Sequence, residues 1–129
     1  MTENQPQYGP PAQPLSPAEE RQWGMLSHAV PLAAMVLSAG TLGFVASLVL
    51  YLLYKDRGTF VRQHCANSLN VQIITGIGLI ISVPLMFIGI GFLTYGAVLL
   101  FASIVHIVGA IKASNGETWN PPLTPRLVS

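Results

Sequence analysis

The sequence predicts an all-α fold: a polytopic membrane bundle of four helices behind a disordered Pro/Gln-rich tail. Two observations carry this expectation. Half of the 129 residues (51%) are hydrophobic and only 9% are charged, against about 25% charge in an ordinary soluble domain. The charges are also segregated. Gln22 to Tyr54, 33 residues, contains no Asp, Glu, Lys or Arg, and neither does Gln63 to Ile111, another 49. Apolar runs longer than about 18 residues read as membrane-spanning helices.

The elements follow in order. The segment 1–17 holds Pro6, Pro10, Pro11, Pro14 and Pro17 among glutamines. Proline blocks helix and lacks a donor, so a solvated, disordered tail is expected. The first 20 residues of the chain have no basic start and no apolar core, so a cleavable signal peptide is not expected. Ser16 then precedes Pro17, Glu19 and Glu20. A serine cap, a proline at the first helical position and acids in the first turn open a helix, and Ser16-x-x-Glu19 fits a capping box.

The run from Trp23 to Tyr54 has 32 residues. At about 1.5 Å per residue it would reach about 48 Å, too long for one crossing of a hydrocarbon core of about 30 Å. Ser38 to Gly43 looks like a tight connection, so the run divides into a hairpin of two short helices, near Pro17–Ser38 and Leu42–Tyr54. The alternative is one kinked span through Pro31. Lys55-Asp56-Arg57-Gly58 belongs in water. A third helix runs from Thr59 to about Val83, Pro84 to Gly91 form an uncharged turn, and a fourth helix covers about Phe92 to Ala113. Gly116 stands just past its last turn, as a helix-ending glycine does. The bundle is therefore 18–114, with a short C-terminal tail at 115–129.

Basic residues fix the expected orientation. Lys55, Arg57, Arg62 and Lys112 serve as cytoplasmic anchors, while the intervening turn is uncharged. Both termini are then cytoplasmic, in a multi-pass protein of the bacterial inner (plasma) membrane. Trp23, Tyr51, Tyr54 and Trp119 sit near span ends, where interfacial aromatics gather.

The third helix carries the one dense polar group: His64, Asn67, Ser68, Asn70, Gln72 and Thr75. His64, Ser68, Gln72 and Thr75 share a stripe, with Asn67 beside it and Asn70 somewhat apart. Amides in lipid require partners. The stripe therefore either lines a polar path or fixes the bundle by interhelical hydrogen bonds, and the second reading is the plainer. His106, deep in the fourth helix, is a candidate buried ionisable group. His28, His64 and His106 fall in three helices, and with Cys65 they raise a metal site or a proton relay. There is no His pair at i, i+4 and no CxxC, so neither metal nor cofactor is expected. Gly43/Ser47 and Gly109/Ala113 are small residues four apart that let helices approach closely.

Other classes are excluded. A net charge of +1 gives no footprint for nucleic acid. A single cysteine forms no internal disulfide. No nucleophile with a base, no paired carboxylates and no phosphate loop stand out, so no catalytic residues are assigned.

The residues Arg21–His28, Tyr54-Lys55-Asp56-Arg57, Phe60-Val61-Arg62-Gln63-His64 and Ser68–Gln72, with Gly116-Glu117 and Pro122, resemble the domain of unknown function 4870 family of small bacterial membrane proteins. That group is similar to a chloroplast inner-envelope protein-import component. The resemblance covers about Ala18 to Leu127 and implies a four-helix membrane fold without an assigned activity. Here Cys65 replaces the usual alanine, and Asn67-Ser68 stands where an acid is common. The functional expectation is a non-enzymatic helix-packing partner or accessory subunit of a membrane complex. Its partners are the lipid bilayer and either a second copy or another membrane protein. The competing expectation is a small oligomeric channel or carrier component lined by the third helix's stripe.

Overall fold

The computed structural model describes residues 13–129. The elements are α1 (Pro17–Leu37), α2 (Gly43–Tyr54), α3 (Thr59–Leu85), a single 3-10 turn (Met86–Ile88) and α4 (Gly91–Ser114). No strand occurs among the described residues.

Local chemistry sets the helix ends. Ser16 Oγ accepts from the Glu19 N–H at 3.2 Å, and Glu19 Oε2 accepts from the Ser16 N–H at 2.9 Å. This is the reciprocal capping box, with Pro17 at the first helical position. The hairpin break also falls where the sequence places it: Ala39 and Gly40 have φ of 54° and 103°, and Ser38 Oγ accepts the Leu42 N–H at 2.9 Å. At the end of α4, Gly116 has φ 74°. Its N–H donates to the Ala113 carbonyl at 3.0 Å, and the Glu117 N–H donates to the Lys112 carbonyl at 2.8 Å. This pair of bonds is the Schellman closure. One boundary differs from expectation. Pro84 does not open the turn but lies inside the last turn of α3, where its missing donor removes only one helical bond.

The expected N-terminal tail falls mostly outside the described residues. Its last part, Gln13 to Ser16, lies against the Lys55–Gly58 turn. The Leu15 N–H donates to the Arg57 carbonyl at 2.8 Å, and Arg57 Nε donates to the Gln13 carbonyl.

The helices pack as a diamond. α1 and α3 each touch all three other helices, whereas α2 and α4 do not meet. Two apolar clusters fill the bundle. One joins Met35, Val71, Ala102 and Val105; the other joins Leu50, Val61 and Cys65 under Trp23 and Tyr54, whose rings stack at 4.4 Å. The outside is as apolar as the inside. Val45, Leu52 and Leu53 on α2, Ile77, Ile80 and Ile81 on α3, and Phe92, Leu93 and Leu100 on α4 all face outward. Thr59–Ile88 and Gly91–Ser114 are long and apolar enough to cross a membrane, while Gly43–Tyr54 is apolar but short.

Candidate functional site

Beside its two apolar clusters, the interior of this bundle holds eleven buried polar residues. Three histidines lie far apart in the chain, one each on α1, α3 and α4, and all are fully buried. They meet in a single hydrogen-bonded line. His64 Nε2 lies 2.7 Å from the Glu117 carbonyl, and His64 Nδ1 lies 3.2 Å from His28 Nε2. His28 Nδ1 is 3.3 Å from His106 Nδ1, and His106 Nε2 is 2.7 Å from Gln72 Nε2. The Gln72 amide finally reaches Met35 Sδ at 3.6 Å.

The donor directions in this line follow from its ends. A carbonyl oxygen only accepts, so His64 Nε2 carries a proton. In a neutral ring His64 Nδ1 then accepts, which makes His28 Nε2 a donor. His28 Nδ1 accepts in turn, so His106 Nδ1 donates and His106 Nε2 accepts from the Gln72 amide. Every member is satisfied with all three rings neutral, and the protons all point from Gln72 toward Glu117. Buried polar groups are costly unless paired, and this line pairs four buried side chains with one another and with the Glu117 carbonyl.

Glycines make the line fit. A Cβ at Gly109 would lie 2.5 to 2.7 Å from three atoms of the His28 ring, and one at Gly43 would lie 2.5 Å from Gln72 Oε1. At Gly24 a Cβ would stand 3.5 Å from the His64 ring and 3.3 Å from Ala113. The small residues at Gly43/Ser47 and Gly109/Ala113 are thus helix-contact positions. Gly43 and Gly109 also reserve the space that two polar side chains occupy.

The rest of the third-helix stripe divides between two partners. Ser68 Oγ meets Ser47 Oγ on α2 at 2.8 Å. Asn67 and Asn70 instead hold the C-terminal segment 115–129, which folds back along α3. Asn67 Nδ2 donates to the Trp119 carbonyl at 2.7 Å. Asn70 Nδ2 donates to the Val128 carbonyl at 2.8 Å, and Asn70 Oδ1 accepts the Val128 N–H at 2.7 Å. That two-point grip copies one rung of a β-ladder with a side-chain amide. Asn70 therefore bonds the tail, where a helix partner was expected, while Gln72 does bond across helices. Thr75 is buried, and its hydroxyl has no partner among the described residues. The third helix thus has buried residues all round from His64 to Gln72, because α1, α2, α4 and the tail share its circumference.

The anchors gather at one end. Lys112 pairs with Glu117 at 3.2 Å, Arg62 donates to the Ser129 carbonyl at 3.2 to 3.3 Å, and Lys55 and Arg57 occupy the α2–α3 turn. The opposite end, Ser38 to Leu42 with Leu85 to Ile90, carries no charge. Among the described residues no group of three His, Cys, Asp or Glu side chains is disposed to hold a metal ion. In the histidine line His28 turns a different nitrogen to each neighbour, so the three do not converge on one point.

Sequence reasoning placed each histidine on its own helix without finding that they meet. Gly109 was the available signal: a glycine in a helix interior costs about 1 kcal/mol relative to alanine and marks a close approach.

The fold and its interior define a class: an all-α, four-helix protein, apolar outside, with a polar line through its core. Within that class the chain belongs to the MamF/MmsF family, the magnetosome magnetite crystal formation protein family, whose model matches residues 19–128. This corrects the resemblance to the domain of unknown function 4870 family and to a chloroplast import component. Among the residues that carried it, Arg62, His64, Ser68, Asn70 and Gln72 here bond α3 to its neighbours and to the C-terminal segment. No curated protein and no solved structure matches the chain.

Proposed function

We propose that this chain is a membrane-embedded, non-enzymatic accessory protein of magnetite crystal formation that works through helix contacts. The observation that carries the reading is the inverted polarity of the bundle. Large aliphatic and aromatic side chains cover the outer faces of α2, α3 and α4, while histidines, amides and serines are turned inward and paired. A surface of that kind suits lipid tails, where each backbone and side-chain polar group needs an internal partner. The family's description supplies the process.

The basic end, with Lys55, Arg57, Arg62 and Lys112, faces the cytoplasm in this reading, and both termini lie with it. α2, only about 18 Å long, reaches across a locally thinned bilayer or leaves room for a second copy at its flank. The engagement of Asn67 and Asn70 by the tail supports packing rather than a channel lined by the stripe.

The test has two stages. After alkaline carbonate washing of membranes the chain is expected in the pellet, and release into the supernatant would refute membrane embedding. Deleting it from a magnetite-forming cell is expected to change crystal number, size or shape. Unaltered crystals would refute the accessory role.

A further inference from the structure

The histidine line does more than tie helices together, because both of its ends reach accessible space. At one end Gln72 lines an open groove of about 340 Å³ that runs to the uncharged turn at Gly40, Thr41 and Tyr95, with the exposed side chains of Phe44, Ile80 and Val83 forming its apolar wall. A Cβ at Gly76 would meet nothing within 4 Å, so the groove is open there. At the other end His64 donates to the carbonyl of Glu117, an exposed residue at the charged end. A cavity of about 180 Å³ lies beside it among Glu20, Arg21, Phe60 and Gly116.

We propose that Gln72, His106, His28 and His64 form a proton path from the groove to the charged end, with Gln72 as its gate. This rests on the membrane-embedded reading. Imidazole suits the task because it takes a proton on one nitrogen while releasing the other. The transfers balance. A proton from groove water binds His106 Nε2, and the proton on His106 Nδ1 passes to His28 Nδ1. The proton on His28 Nε2 passes to His64 Nδ1, and the proton on His64 Nε2 leaves to water beside Glu117. One proton enters, one leaves, and each ring ends neutral in its other tautomer, which leaves the His64 Nε2 lone pair facing the Glu117 carbonyl until that ring turns back.

Gln72 gates the entry because its amide N–H occupies the lone pair of His106 Nε2. After a passage His106 Nε2 carries the proton, and Gln72 satisfies it by turning its amide oxygen inward. A second proton in the same direction requires the rings to recover their starting tautomers by reorienting. The path is therefore slow and never an open pore. The charged groups nearest its outer end are Glu117, paired with Lys112 at 3.2 Å, and Glu20, whose carboxylate accepts the Val61 N–H at 3.3 Å. Arg21 borders the cavity beside them. Cys65 is buried on α3 next to His64 in sequence, and among the described residues Tyr95 is the titratable group lining the groove.

The full chain is reconstituted into vesicles of phosphatidylcholine and phosphatidylglycerol loaded with a pH-sensitive dye. A potassium gradient with valinomycin then drives protons. Flotation is measured on the same vesicles. A chain that fails to float removes the membrane reading and the path with it. A chain that floats yet leaves proton entry at the protein-free rate overturns the path alone. The expected result is proton entry above the protein-free rate, lost in His28→Phe, which keeps a ring and removes both nitrogens. Retained entry in a floating His28→Phe would overturn the proposal. Should His28→Phe not insert, Gln72→Ala decides: opening the gate to groove water is expected to raise the rate, and an unchanged or lower rate would overturn the path.

Discussion

Gly109 and Gly43 show how two identical substitutions should differ. An alanine at Gly109, in the interior of α4, gains about 1 kcal/mol of helix propensity, whereas at Gly43, the first residue of α2, the gain is smaller. At Gly109 the new methyl would press on a His28 ring hydrogen-bonded through both nitrogens, and over-packing of that kind costs about 1–3 kcal/mol. At Gly43 it meets the far end of the Gln72 side chain, which can move. Gly109→Ala is therefore expected to lower the thermal midpoint in detergent, while Gly43→Ala leaves it near the wild-type value. Equal midpoints for the two variants would show that the His28 ring is not held as the geometry requires. Gln72→Leu removes an interhelical hydrogen bond, which within membranes averages about 0.6 kcal/mol. Its expected effect on the same melt is correspondingly small.

At the scale of elements, the start of α1 and the C-terminal segment are stabilised by side chains gripping backbone. Ser16→Ala removes one arm of the capping box and should cost about 1 kcal/mol, read as earlier fraying of α1 by hydrogen exchange. The tail offers a sharper test. The Val128 N–H is bonded to Asn70 Oδ1 at 2.7 Å, so its exchange is slowed by that one side chain. Asn70→Leu is expected to bring the Val128 amide close to the rate of an unstructured peptide, with α3 amides little changed. Slow exchange surviving in that variant would mean that the tail is held elsewhere. α3 itself illustrates what an amphipathic pattern conceals. Most of its polar group reads as one stripe on a helical wheel, yet its members serve four partners: α1 through His64, α2 through Ser68, α4 through Gln72, and the tail through Asn67 and Asn70.

For the whole molecule, the segregation of charge is the governing feature. Every charged side chain among the described residues lies toward one end of the bundle, and the opposite turns are uncharged. Single cysteines placed at Asp56 and Ser129 in a Cys65→Ser background should both resist a membrane-impermeant label applied to intact cells, and both should react once the cells are opened. Labelling of either from outside would reverse or break the proposed orientation.

Much of this architecture was legible in the sequence. The two uncharged runs, the capping residues at Ser16 and Glu19, the Ser38–Gly43 break and the terminating Gly116 are local signals, acting through bonds spanning at most a few residues. They mark helix ends correctly because a helix end is itself a local event. The meeting of His28, His64 and His106 was not legible, since the partners are 36 and 78 residues apart. A helical wheel tells which face a residue occupies, not which faces of different helices meet. The tail's docking was equally hidden, because Asn67 and Asn70 hold the carbonyls of Trp119 and Val128, and a backbone carbonyl is present at every residue and carries no sequence signature. The sequence by itself determined four helices, most of their ends and the segregation of charge, with the end of α3 misplaced by Pro84. Only the tertiary structure decided that the polar residues form one directional line, because only helix packing brings three helices and a returning tail to the same axis.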